Sequence, residues 1–389
     1  MSLVETTVAA QPVTTGVSRA KECATAAAEF YRSVWHPDLE TVLFFCSPQY
    51  DLDRLEVELA KRFGDVHLIG CTTAGEITPA GYIDGSITGV GFAKPDFITV
   101  AEAIPDLSGF TMAAASNLVR KATARLDART GGRTSGSTFA FLMIDGMSRQ
   151  EEKVVSAIFN ALGEIPLLGG SAGDDLTYEN THVFINGRFH SNCAALLLVH
   201  TDHPFKIFKT EHFQSFGERM VVTAADSELR IVRELNAEPA AREYARVIGV
   251  PVGELCPRVF ATHPLVVRVG GEYHVRSIQR VLDDESLSFL CAIDEGIVLT
   301  AAESGDIVQD LDKVMHEIQR TVGPTQVIIG CDCILRRLEM ERKEVKKAIS
   351  DILLRNNVIG FSTYGEQYNS MHVNHTFTAV AISTEARRP

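Results

Sequence analysis

One short motif recurs three times and limits what this chain can become. It runs Ile69-Gly70-Cys71-Thr72-Thr73-Ala74-Gly75-Glu76, then Leu168-Gly169-Gly170-Ser171-Ala172-Gly173-Asp174, then Ile359-Gly360-Phe361-Ser362-Thr363-Tyr364-Gly365-Glu366. In each case an apolar run enters a turn that holds two or more glycines, at least one hydroxyl and a carboxylate. Glycine is used where backbone takes positive φ or must approach another group closely. A chain that builds the same polar glycine turn three times is organised around what those turns hold.

The surroundings of the turns repeat as well, which is the first thing to test in a chain of 389 residues. An apolar strand (41–46) precedes a helix at 51–63, a strand at 66–69 and the first turn. A second apolar strand (138–144) precedes a helix at 150–162 and the second turn. Cys46 to Gly70 and Asp145 to Gly169 are both 24 positions. A third copy runs from Thr325–Cys331 through a helix at 342–354 to Gly360, where Asp332 to Gly360 is 28 positions. There the hairpin after the turn reads as a single returning segment ending in 377–382. Asn186-Gly187 marks a tight hairpin turn in the second copy.

Outside the copies, residues 1–15 read as a loose tail and 18–34 as an Ala-rich amphipathic helix. Four strands are expected within 265–300 and a helix at 306–321, with a boundary at 232–240 where Pro239 breaks the strand pattern. The fold class that follows is α/β (α+β): two modules of mixed or antiparallel sheets packed by helices. Both are built from strand-helix-strand-glycine turn-strand units, too short in places for a doubly wound parallel sheet.

Composition excludes several function classes. Net charge is −13, which argues against nucleic-acid binding through a basic face. No apolar run approaches the roughly 18 residues of a membrane span, and the N-terminus lacks the basic-then-apolar order of a signal peptide. Eight cysteines are scattered singly, as in reduced cytoplasmic proteins rather than disulfide frameworks.

The chemistry-bearing residues fall into three groups. Glu76, Asp174 and Glu366 occupy matching points and read either as acceptors for their own turns or as ligands for an amine or metal. Ser171 has glycine two before and two after it, the spacing of a nucleophile elbow, but the elbow requires a following helix and the sequence continues Asp174-Asp175-Leu176-Thr177. Catalysis is therefore not expected, and Cys331-x-Cys333, with no second pair, reads as packing thiols. The third group is His372-Val373-Asn374-His375-Thr376. Read as a strand, it places His372, Asn374 and Thr376 on one face, beside Ser362, Thr363 and Glu366, and His375 on the apolar face. An imidazole in an apolar slot suits either a core histidine or an axial haem ligand. No CxxCH is present, so a bound haem would be noncovalent. His372 and His375 rank level as ligands, ahead of His274, His182 and His190.

The turns GCTTAGEI (70–77), GGSAGDD (169–175) and GFSTYGEQYN with HVNHT (360–376), together with Cys331–Arg336, resemble the FIST family of intracellular signalling and ligand-binding proteins. The resemblance implies a tail and helix over 1–39, a FIST N-type module over 40–232 and a FIST C-type module over 240–385. It implies a cytoplasmic, bacterial small-ligand sensor without catalysis of its own. In the sharpest form of that function the chain binds haem b through His372 or His375, responds to nitric oxide and signals to a histidine kinase or another signalling protein. The broader form senses an amino acid or other small polar ligand without haem, and a hydrolase or transferase is the remaining alternative. Self-association stays open. The residues expected to bind ligand are Ser362, Thr363, Tyr364, Glu366, Asn374 and Thr376, with Gly70, Thr72, Thr73 and Ser171 from the first two turns.

Overall fold

The computed structural model describes residues 11–269 and 271–386. Of the expected tail, 1–10 lie outside the described residues and 13–15 belong to a strand. The chain is three copies of one unit. The first is β1 (Val13–Ser18), α1 (Cys23–Val34), β2 (Leu39–Cys46), α2 (Leu52–Phe63), β3 (His67–Thr72), a hairpin of β4 (Glu76–Thr78) and β5 (Gly81–Ile83), and β6 (Ile87–Ala93). The second repeats the order: β7 (Phe97–Ile104), α3 (Met112–Thr130), β8 (Thr138–Ile144), α4 (Glu151–Leu162), β9 (Leu167–Ser171), hairpin β10 (Val183–Ile185) and β11 (Arg188–His190), and β12 (Ala194–Thr201).

The third unit opens with β13 (Phe205–Thr210) and is then interrupted. The inserted part contains β14 (Phe213–Asp226), β15 (Ile231–Leu235), β16 (Glu238–Pro239), α5 (Ala240–Ile248), α6 (Pro257–Thr262), β17 (Leu265–Val269), β18 (Glu272–Arg276), β19 (Ile278–Val281), β20 (Leu287–Phe289) and β21 (Val298–Ser304). The unit resumes with α7 (Ile307–Val322), β22 (Thr325–Cys333), α8 (Ile334–Arg342), α9 (Lys346–Arg355), β23 (Val358–Thr363), hairpin β24 (Glu366–Tyr368) and β25 (Met371–Val373), and β26 (Phe377–Ser383).

Each unit forms a sheet around a parallel pair, β2–β3, β8–β9 or β22–β23, flanked by an antiparallel strand. Every sheet is then completed by another unit's hairpin. The β10–β11 hairpin adds to β3, β24–β25 to β9, and β4–β5 to β23. The exchange is cyclic, so the three sheets close around one core. Phe45 of β2 stacks on Phe361 of β23 at 4.4 Å and lies 6.4 Å from Phe141 of β8. A fourth, antiparallel sheet belongs to the insert.

The strand sequences explain this arrangement. In β2, Leu43 and Phe45 face the shared core, whereas Val42, Phe44 and Cys46 face α1 and α2. In β8, Phe139, Phe141 and Met143 point inward, and Ala140, Leu142 and Ile144 point to α3 and α4. A strand covered on both faces must be apolar at every position, which is why these runs show no alternation. Burying one such Phe contributes about 2 kcal/mol. Asp51 caps α2 by accepting from Arg54 N–H at 3.1 Å, and Asp306 caps α7.

Two expectations are corrected. The third copy keeps its hairpin, turned at Asn369-Ser370 with Asn369 at φ 51°, so 371–378 is not one strand. The chain leaves β25 at Val373, turns through 374–376 and re-enters β26 at Phe377, so the alternation argument for 372–378 fails. The helix expected at 342–354 is α9, which starts at Lys346, and a further helix, α8, from Ile334 to Arg342, precedes it. Among the described residues no helix is long and apolar enough to cross a membrane, and the eight cysteines are free, with Cys256 exposed.

Candidate functional site

The three glycine turns leave the C-terminal ends of β3, β9 and β23 and meet at the centre of the ring, bonded backbone to backbone. Ala74 N–H donates to Ser362 O at 2.9 Å and Ser362 N–H to Gly75 O at 2.7 Å. Gly173 N–H donates to Thr72 O at 2.9 Å and Ser171 N–H to Gly365 O at 2.8 Å. A Cβ on Gly173 would sit 2.7 Å from Ala74 N, so close approach is what demands glycine here.

Most expected binding groups are engaged in holding this junction. The Thr73 hydroxyl donates to Glu76 and the Thr363 hydroxyl to Gly365 O at 2.6 Å, with Glu366 Oε1 3.1 Å from it, and each accepts an N–H, from Gly75 and Gly365 respectively. Glu366 also accepts the Thr376 N–H at 3.2 Å and hydroxyl at 2.7 Å. Thr72 Oγ1 accepts His182 N–H at 3.0 Å. Gly70 lies within its sheet, under the Phe44 ring. Ser171 Oγ accepts from Gln367 Nε2 at 3.0 Å, and the chain after it runs on without a helix. The Tyr364 hydroxyl donates to Asp174, and its ring stacks on Tyr178 at 4.6 Å.

Burial dominates the electrostatics. It pushes Glu76 up to about 7 against the hydrogen bonds from Ser86 and Thr73, and it pushes Glu366 well above the ordinary carboxyl range. Asp174 shows the opposite balance. Burial opposes its charge, but bonds from Thr177, Tyr364 and the backbone of Asn180 and Glu179 hold it below the usual value.

Several of the buried polar atoms left without a hydrogen-bond partner lie in 362–378. Ser362 Oγ, Asn374 Oδ1, Thr378 Oγ1 and both ring nitrogens of His375 are buried without a hydrogen-bond partner. His375 is 1% exposed and its backbone is left-handed, at φ 55°. The matching positions two residues before β6 and β12 are Gly85 (φ 70°) and Asn192 (φ 51°), residue types that accept this conformation readily. Burial lowers His375 to about 3, so its imidazole is neutral. The Phe213 ring of β14 meets it edge-on at 5.0 Å. His372 packs over Gly365, where a Cβ would come within 2.2 Å of its Cε1. Burial lowers it to about 4, and the Leu290 backbone lies beside it short of hydrogen-bond geometry.

Haem does not fit this geometry. The cavity touching His375 and Asn374 measures about 30 Å³, whereas cofactor-sized sites run to several hundred Å³. His372 faces the Arg230 and Glu152 charges rather than an apolar slot. Among the described residues, no three His, Cys, Asp or Glu side chains are placed to hold a metal ion.

Sequence reasoning missed the polar groups that join the insert to the ring. Arg230 of the insert donates to Glu151 and Glu152 of α4, both at 2.6 Å, and to Leu290 O at 3.0 Å. His212 Nε2 meets Glu339 at 2.8 Å, and Arg336 reaches both Asp332 (2.7 Å) and His212 Nδ1 (3.0 Å). The four-residue spacing of Asp332 and Arg336 was a visible signal, but nothing in the sequence linked Arg230 to α4.

Comparison with known proteins completes the description. The FIST N domain family matches residues 40–238 and the FIST C domain family residues 240–369. The "Uncharacterized protein MJ1623" of Methanocaldococcus jannaschii is 22% identical over 276 residues, covering 62% of this chain and 53% of the relative. The chain thus spans about half the length of that curated relative. The crystal structure of cyanuric acid hydrolase from A. caulinodans aligns over 97% of this chain and 100% of that one, at 11% identity and a TM-score of 0.38, too low to carry an argument.

Proposed function

The chain belongs to the FIST family, with a FIST N domain followed by a FIST C domain, and on that premise we propose that it senses a small polar ligand at the seam between its ring and its inserted sheet. FIST domains are small-ligand sensing domains of signalling proteins. The observation that carries the choice of site is His375. Its two ring nitrogens are buried without partners, beside the equally unpartnered Asn374 Oδ1, on a left-handed backbone. Leaving a polar group buried and unpaired costs about 1–3 kcal/mol, and a ligand with complementary groups recovers that cost.

The ligand binds without turnover, and occupancy is reported by contact with a partner such as a histidine kinase in the cytoplasm. The seam suits such a signal because the insert meets the ring partly through polar contacts, the Arg230 pair with Glu151 and the hydrogen bond of His212 to Glu339. The test is hydrogen exchange of the full chain across a panel of small polar metabolites. A true ligand protects 372–376 together with β14; a panel that protects neither sinks the proposal. The haem-bound, nitric-oxide-responsive form requires the seam to open far beyond its 30 Å³ cavity. A Soret band after haem reconstitution, lost on replacing His372 or His375, would restore it in place of the polar ligand.

A further inference from the structure

Two cavities meet at the seam and share Glu211 and Phe213. The inner one is the 30 Å³ chamber at His375 and Asn374. The outer one, about 550 Å³, opens to solvent between the insert and α7. The Phe213 ring stands at their junction, 5.0 Å from His375 and 4.2 Å from His212.

The outer chamber is acidic. Glu211, Asp306 and Asp310 line it against a single lysine, Lys313. Two of the carboxylates have duties already: Glu211 pairs with Lys209, and Asp306 caps α7 through the Val308 and Gln309 N–H groups. Asp310 differs, because its Oδ2 is buried without a hydrogen-bond partner. In the inner chamber Asn374 Oδ1 only accepts, and one nitrogen of the neutral His375 ring accepts in either tautomer. A carboxylate attracts positive charge, unpartnered acceptors call for N–H donors, and the face of Phe213 favours a cation passing over it.

We propose that the seam site takes a small organic cation bearing a primary ammonium. It enters past Glu211 and Asp310, displaces the Phe213 ring and donates to Asn374 Oδ1 and a His375 ring nitrogen. An anion would face the carboxylates of the outer chamber and, among the described residues, find no unpartnered cation lining the inner one. This inference rests on the seam being the ligand site, and it adds the charge of the ligand and its route.

Calorimetric titration of the full chain with ethylammonium chloride tests it, with propionate and propanamide as anionic and neutral partners of similar size. Ethylammonium is expected to bind at least tenfold more tightly than either. Asp310→Asn should weaken it about tenfold, and Phe213→Leu should speed its association. Equal or tighter binding of propionate, or an Asp310→Asn protein that binds ethylammonium unchanged, overturns the cation. Hydrogen exchange then separates the location of the site from the charge of its ligand. Protection of 372–376 by propionate or propanamide leaves the seam as the site while removing the ammonium, whereas a seam protected by none of the three removes both.

Discussion

Glu76 takes both the backbone N–H and the hydroxyl of Ser86 onto one carboxylate oxygen, at 2.9 and 2.6 Å, in a place with no exposed surface. Glu366 does the same with Thr376. Each carboxylate ties its turn to the strand that returns ten residues later, which is the architectural work behind two of the three acids at matching points of the motif.

The buried Glu76 makes stability depend on pH. The folded chain keeps the proton up to about pH 7, while the unfolded chain releases it near the ordinary carboxyl value of 4.5. Its contribution is therefore flat below about pH 4.5, falls as pH rises to 7, and levels off above. The loss amounts to about 3 kcal/mol. Glu76→Gln should remove this component. Urea denaturation from pH 4 to 8 should show the variant gaining on the wild type as pH rises, and a constant difference would refute the assignment.

The seam histidines act at the other end of the scale. His375 and His372 are lowered to about 3 and 4, against 6.5 when unfolded. The unfolded chain binds their protons first, so stability is intact above about pH 6.5 and falls as pH drops toward 4. His375→Asn keeps the left-handed backbone, as Asn192 does in the second repeat. It should lower the midpoint of acid unfolding, measured by circular dichroism, by roughly half a pH unit or more.

Gly75 is held at φ 117°, and a Cβ there would lie 1.8 Å from Arg337 Nη1. Gly75→Ala should cost about 3 kcal/mol or more, through backbone strain and displacement of Arg337 from the Ala74 carbonyl and Asp84. Thermal unfolding with a denaturant series measures it; a loss below about 1 kcal/mol would show that the turn relaxes freely.

Arg230→Ala leaves the buried Glu151 without its cation and should cost about 3–5 kcal/mol. Exchange should rise first in β14–β21, while β2, β8 and β22 stay protected. Adding Glu151→Gln should recover part of the loss. A uniform rise across both regions would mean that Arg230 does not hold the seam in particular.

The repeat was legible because strands buried on both faces leave uninterrupted apolar runs, as at 41–46 and 138–144, and because glycine turns mark where they end. The bounds of α2 and α7 were legible too, each within one residue of the expected 51–63 and 306–321. Other features were hidden for physical reasons. Helix α8 carries Arg336, Arg337 and Glu339, which are buried against partners far along the chain that no local pattern marks. The third hairpin turns at Asn369-Ser370 without glycine, and missing it put His375 on a strand rather than in a left-handed turn. The insert brings Phe213 and Arg230 to the ring by tertiary packing alone, so no local pattern announced the seam.

The cyclic exchange of hairpins bears on how this chain may be divided. The two family regions adjoin at 238–240, inside the β15–β16 stretch of the inserted sheet rather than at a joint between repeats. Cut there, the N-terminal fragment keeps β4–β5 but loses β23, the strand that hairpin completes, and its own β9 loses β24. Two raw sheet edges would be exposed, each ready to pair with any passing strand. The smallest piece able to stand in solvent by itself is the whole circle, and halves expressed separately should clump or find each other before either is soluble.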